Sequence, residues 1–144
     1  MRMSIAAALA AVMCLPAAAW ATPDAQAQCE ANYRQDGSYF AGRTFSSWGV
    51  HPAKAPAATF RSLQVGFAKS GLKVVNVDKD LMMLTAEQAS MSDGKPMALT
   101  FTVLVEPAGK GSKVTSTIKS PPTKALSADA VRASVCAVIR DSGA

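Results

Sequence analysis

The chain holds one histidine, His51, and three cysteines among its 144 residues. A single imidazole excludes a histidine-rich metal site, and a Ser-His-Asp relay would have to recruit it from a proline-flanked loop. No Gly-x-Ser-x-Gly elbow accompanies it, so His51 reads as a loop residue. No Cys-x-x-Cys is present, which removes a thioredoxin-like redox centre. Lys and Arg are spread singly from Arg34 to Arg140, without the clustered footprint that nucleic-acid binding needs. After the first segment no apolar run approaches the roughly 18 residues of a membrane span, so no transmembrane helix is expected in the mature chain. No catalytic or cofactor motif appears, and neither an enzymatic role nor a cofactor is expected.

What is present suits one folded domain. Hydrophobic residues make up 49% of the chain and charged residues 17%, enough apolar surface to offset chain entropy. The formal charge of +5 permits attraction to anionic partners but does not specify a fold.

The first residues have the order of a secretory signal peptide. Arg2 supplies the positive end, Ile5 to Leu15 is unbroken and apolar, Pro16 breaks the helix, and Ala19-Trp20-Ala21 is a small-x-small cleavage site. Ala25-Gln26-Ala27 is a second, more distant candidate site. Neither Ala11-Val12-Met13 before Cys14 nor Gln26-Ala27-Gln28 before Cys29 fits a lipid-attachment box. The expected division is residues 1–21 as signal peptide, 22–38 as a polar arm and 39–144 as a single α+β domain.

Removing the leader takes Cys14 away and leaves Cys29 with Cys136. An even pair in an exported chain predicts a disulfide tying the arm to the last helix. The competing reading is a reactive thiol. Arg132 and Arg140 stand four residues to either side of Cys136 and would favour a thiolate on a helix.

Periodicity predicts the order β-α-β-β-β-β-α. A strand near Tyr39 to Ser47 precedes a Trp48–Pro52 loop. A helix from Pro56 to Ser70 presents Phe60, Leu63 and Phe67 as one stripe and closes at Gly71. Strands follow at Lys73 to Val77, Leu81 to Glu87, Met97 to Glu106 and Val114 to Ser120, before Pro121-Pro122. In the third of these, Phe101, Val103 and Val105 alternate with Thr100, Thr102 and Leu104. Ser127 caps a closing helix whose stripe is Val131, Val135, Val138 and Ile139. The expectation is an antiparallel sheet of four to five strands with two helices on one face.

From Phe60 to Glu87 the order is a helix with Phe60, Leu63 and Phe67, then Gly71-Leu72-Lys73-Val74-Val75, Asp78-Lys79-Asp80 and a return strand. This order resembles the small helix-grip domains of accessory envelope lipoproteins, such as the BamC component of the outer-membrane barrel-assembly complex. The chain departs from that pattern in having one such domain and no lipid-attachment box. The resemblance implies non-catalytic docking to another envelope protein and assigns no functional residue.

Two surfaces are candidates for binding. Arg43, Phe45 and Trp48, with Tyr39, form an aromatic-basic patch of the kind that anchors interfaces; Phe45 and Trp48 read equally as core. Thr100, Thr102, Thr115, Thr117 and Lys119, with Lys113 nearby, fall on one sheet face that would take an extended partner or a glycan, or simply be wet. Met82, Met83, Met91 and Met97 are soft ligands for copper, although Met82 and Met83 point to opposite faces of a strand and core filling is the plainer account. Asp78 and Asp80 read as turn residues rather than a cation site. No metal is expected. The sequence therefore predicts a periplasmic or secreted accessory protein, partnered by an envelope protein or an envelope glycan or lipid. An inhibitor or small enzyme without a recognisable motif is the alternative.

Overall fold

A computed structural model describes residues 23–92 and 94–144, so the expected signal peptide lies outside the described residues. In chain order the elements are α1 (Ala25–Asn32), β1 (Arg34–Ser38), β2 (Gly42–His51), α2 (Pro56–Lys69), β3 (Lys73–Asp78), β4 (Met83–Ser92), β5 (Lys95–Ala108), β6 (Gly111–Ser120) and α3 (Ala128–Asp141). All strands join one antiparallel sheet in the order β1-β2-β6-β5-β4-β3.

The α+β class and the antiparallel sheet agree with the sequence, but the counts do not. The described residues form six strands rather than four to five, and three helices rather than two. Both additional elements lie in the segment expected to be a polar arm. Asp24 caps α1 by accepting the Ala27 N–H at 2.7 Å, yet that helix buries only Ala25 and Cys29 and so carries no apolar stripe. Strand β1 is exposed along its whole length and shows no alternation. It exists because Arg34 to Ser38 pair with Ser46 to Gly42 across a short turn. Strand β2 also runs further than expected, since Trp48 to His51 continue the ladder against β6 instead of looping away.

The core lies where the alternation put it. Phe45 from β2, Val114 and Ile118 from β6, Phe101, Val103 and Val105 from β5, and Leu84 and Ala86 from β4 form the floor. Phe60, Leu63 and Phe67 from α2 and Val131, Val135 and Ile139 from α3 cover it. Two buried hydroxyl contacts are satisfied inside: Thr59 Oγ1 bonds Ser112 Oγ at 2.7 Å, and Ser47 Oγ donates to the Cys29 carbonyl.

Cys29 and Cys136 are joined by a disulfide, with Cα atoms 5.6 Å apart and a separation of 107 positions in sequence. Both are buried, which removes the reactive-thiol reading. In the chain-entropy account, closing a loop of that size stabilises by about 4–5 kcal/mol relative to the open chain. The bridge fastens α1 to α3 across β2. Space there is tight, because a Cβ at Gly49 would stand 2.6 Å from the Ala25 carbonyl and 2.9 Å from Ile139 Cγ2. No helix among the described residues is long and apolar enough to cross a membrane.

Candidate functional site

The helices pack against one face of the sheet, and strand alternation sends every second residue to the other. Register then sets those residues in rows across neighbouring strands. Ser46 stands opposite Thr117, Thr117 opposite Thr102, and Thr102 opposite Thr85, a run of four hydroxyls on β2, β6, β5 and β4. On one side lies the row Thr44, Lys119, Thr100 and Glu87. On the other lies Trp48, Thr115, Leu104 and Met83. The residues of these rows are half-buried or exposed, in contrast to the fully enclosed positions between them.

Thr100, Thr102, Thr115, Thr117 and Lys119 are thus brought together on a single face. Trp48 joins them at the β2 border, 37% exposed. The Lys113 ammonium lies 4.9 Å from its ring centroid, a cation–π contact worth about 0.5–1 kcal/mol at an exposed position. Beyond the ring an open groove of about 580 Å³ separates the strand from α1; Pro23, Ala27, Ala31, Val50 and Pro52 line it with Trp48. A flat indole, an ammonium and a field of hydroxyls can hold a polar, extended partner by stacking and by hydrogen bonds in either direction.

The aromatic-basic patch is split by the same alternation. Phe45 faces the core and is fully buried, so it cannot touch a partner. The Arg43 guanidinium sits 5.3 Å from the Phe45 centroid and donates through Nη2 to the carbonyls of Lys124, at 3.2 Å, and Leu126, at 3.4 Å. It ties β2 to the loop before α3. Only Trp48 of that set reaches the open face.

The remaining candidates are placed as follows. His51 Nε2 lies 2.8 Å from the Ile139 carbonyl and 3.0 Å from Ser142 Oγ, so the imidazole bridges β2 to the end of α3. Asp78 Oδ1 accepts from the backbone N–H groups of Asp80 and Leu81 at 3.0 and 2.9 Å, which is turn chemistry. Met83 pairs with Leu104 at one end of the β4–β5 hairpin, whereas Met91 pairs with Pro96 and Met97 with Ser90 at the other. Eight strand positions, roughly 26 Å at 3.3 Å per residue, separate Met83 from Met91, and no single ion spans them. Among the described residues no group of three or more His, Cys, Asp or Glu side chains converges.

Sequence reading missed Ser46 and Thr85, which complete the hydroxyl row. Their alternation with Phe45 and Leu84 was the available signal.

No family model matches the chain, and no curated protein matches it. Among solved structures, the crystal structure of Ara h 8.0201 is similar at a TM-score of 0.52 and 14% identity, over 69% of this chain and 94% of that one. The crystal structure of TTHA0849 from Thermus thermophilus gives 0.33 at 13% identity, over 69% and 88%, too distant to support an argument. The likeness to the first supports the fold class alone, an α+β arrangement in which an antiparallel sheet is packed against helices.

Proposed function

We propose that this chain is an exported, non-enzymatic binding module of the cell envelope, and that it holds an extended polar partner on the open face of its sheet. The observation that carries the reading is the in-register row Ser46, Thr117, Thr102 and Thr85, bordered by Trp48 and by Lys119. The signal-like first segment and the Cys29–Cys136 bridge favour an oxidising compartment outside the cytoplasm. The resemblance of residues 60–87 to helix-grip domains of BamC-type accessory lipoproteins favours docking to another envelope component, protein or glycan, over chemistry.

A photo-crosslinking residue placed at Thr102, compared with one at Ala57 on the exposed side of α2, tests the proposal in intact cells. Adducts to an envelope component from Thr102 and none from Ala57 are the expected result. Equal labelling from both positions, or none from either, overturns it. Once the leader and Trp20 are removed, Trp48 is the sole tryptophan, so its fluorescence reports occupancy of the same face directly.

A further inference from the structure

The β1–β2 turn presents two aromatic side chains to solvent. Phe40 is 80% exposed and Tyr39 45%, and their rings meet edge to face at 5.3 Å. Leaving a Phe in water forgoes burial free energy, so a hairpin tip ordinarily carries Asn, Asp or Gly instead. This tip is also rigidly built. Gly37 and Gly42 bracket it at φ +87° and +92°, and a Cβ on either would strike backbone. Ser38 Oγ accepts the Ala41 N–H at 3.2 Å, and the Tyr39 carbonyl accepts the Thr123 N–H at 2.7 Å. Thr123 itself holds φ +61°, a conformation a branched residue adopts at a cost.

Three loops share this end of the sheet, and their chemistry is consistent. Besides Tyr39 and Phe40, Met91 at the β4–β5 turn is 65% exposed. Lys124, in the loop after β6, reaches across to Ser90 Oγ on β4 at 2.6 Å and fixes that loop to the β4–β5 hairpin. Among the described residues the exposed basic groups here are Lys95 and Lys119, with Lys73 beside Glu87 on the outer strand, Lys124 half-buried and the Arg43 guanidinium turned inward; the acidic Asp36 and Glu87 stand one row back on the sheet, and Asp93 lies outside the described residues.

We infer that this end of the molecule docks on an anionic lipid bilayer, with Phe40, Tyr39 and Met91 entering the interfacial layer and Lys95, Lys119 and Lys124 lying among the headgroups. Aromatic rings beside lysines match the interface between headgroup and hydrocarbon. A narrow projecting tip suits a soft surface, whereas a stable protein contact calls for a broad patch of about 800 Å² on each side. The surface meets the Thr-rich face at Lys119 alone; Phe40, Tyr39, Met91 and Lys95 lie outside that face, so Phe40→Ser tests the tip without touching the hydroxyl row.

The test uses the processed, oxidised protein recovered from the producing cells and sedimented with vesicles of phosphatidylglycerol and phosphatidylethanolamine or of phosphatidylcholine alone. Binding to the anionic vesicles, weakened at least ten-fold by Phe40→Ser and also by high salt or Lys95→Glu/Lys119→Glu, is the expected pattern. Val75→Ser, at the far edge of the sheet, is expected to change nothing. A Phe40→Trp variant should shift its emission to the blue when anionic vesicles are added. Equal binding by Phe40→Ser, equal binding to phosphatidylcholine, or unshifted emission from the Phe40→Trp variant overturns the inference. So does the loss of a protein crosslink in Phe40→Ser when the parent ignores vesicles, which would assign the tip to a protein partner.

Discussion

Gln28 stands in for a strand beside Val50: its Oε1 accepts the Val50 N–H at 3.0 Å, while its own Nε2 donates to the Pro23 carbonyl at 2.7 Å. One turn further along α1, Asn32 Nδ2 donates to the Trp48 carbonyl at 3.3 Å. Strand β1 covers β2 only as far as Ser46, so these two amides satisfy backbone groups that β1 leaves open. The helix thereby blunts an edge that would otherwise invite another strand.

Gln28→Ala removes the acceptor from a partly enclosed N–H and is expected to cost about 1–2 kcal/mol. Denaturant unfolding of the oxidised protein measures it. The Gln28→Ala/Asn32→Ala double variant is expected to self-associate at concentrations where the parent does not, which sedimentation velocity would detect; a variant as monodisperse as the parent would refute the edge-covering role.

Cutting the bridge has a larger effect. Cys29→Ala/Cys136→Ala is expected to lose about 3–5 kcal/mol, part of it through the untethered α1. Comparing urea midpoints of the parent and this variant checks the figure. Native-state hydrogen exchange should place the first loss of protection in residues 25–32. A variant with unchanged midpoint and uniform protection would show that packing alone fixes α1.

Phe45 and Trp48 lie on opposite faces of β2, and their truncations are expected to separate stability from binding. Phe45→Ala empties a fully buried site and should cost about 3–5 kcal/mol. Trp48→Ala should cost roughly 1 kcal/mol or less, while abolishing the Thr102 crosslink. Thermal unfolding and the crosslinking yield, read together, decide the assignment.

Burial raises the Tyr33 phenol above its usual 10.0, with Arg132 and Arg43 pulling more weakly the other way. The folded chain therefore keeps that proton more tightly than the unfolded one. The resulting stability is whole below about pH 10 and is lost as pH rises through the folded value. Tyr33→Phe is expected to flatten this alkaline limb in a pH series of denaturant midpoints. Near neutrality it should be neutral or stabilising by up to about 1 kcal/mol, since the phenol oxygen is buried without a hydrogen-bond partner among the described residues. An unchanged alkaline limb would count against the burial.

The sheet was legible because β5 and β6 alternate strictly: Phe101, Val103 and Val105 against Thr100 and Thr102, and Val114 and Ile118 against Thr115 and Thr117. Both longer helices were legible from their stripes and caps, and the bridge from the cysteine count. α1 and β1 were not. A helix that buries an alanine and a half-cystine has no stripe to detect, and a strand exposed on both faces has no alternation; each is held by what it touches. The Arg43–Trp48 patch failed for a related reason. Residues close in sequence were grouped together, although a strand sends neighbours apart, so Phe45 turned inward and Trp48 outward.

The position of the two half-cystines has a consequence for biosynthesis. Synthesis starts at the N-terminus, so Cys29 emerges well before Cys136, whose partner lies 107 residues behind it. At ribosomal speeds of roughly 5–20 residues per second, the first thiol waits on the order of 5–20 s for the second. A chain halted anywhere before α3 can never close the loop and stays open to thiol-directed surveillance. The staple thus certifies that synthesis has passed Cys136 in α3, in addition to holding the fold shut.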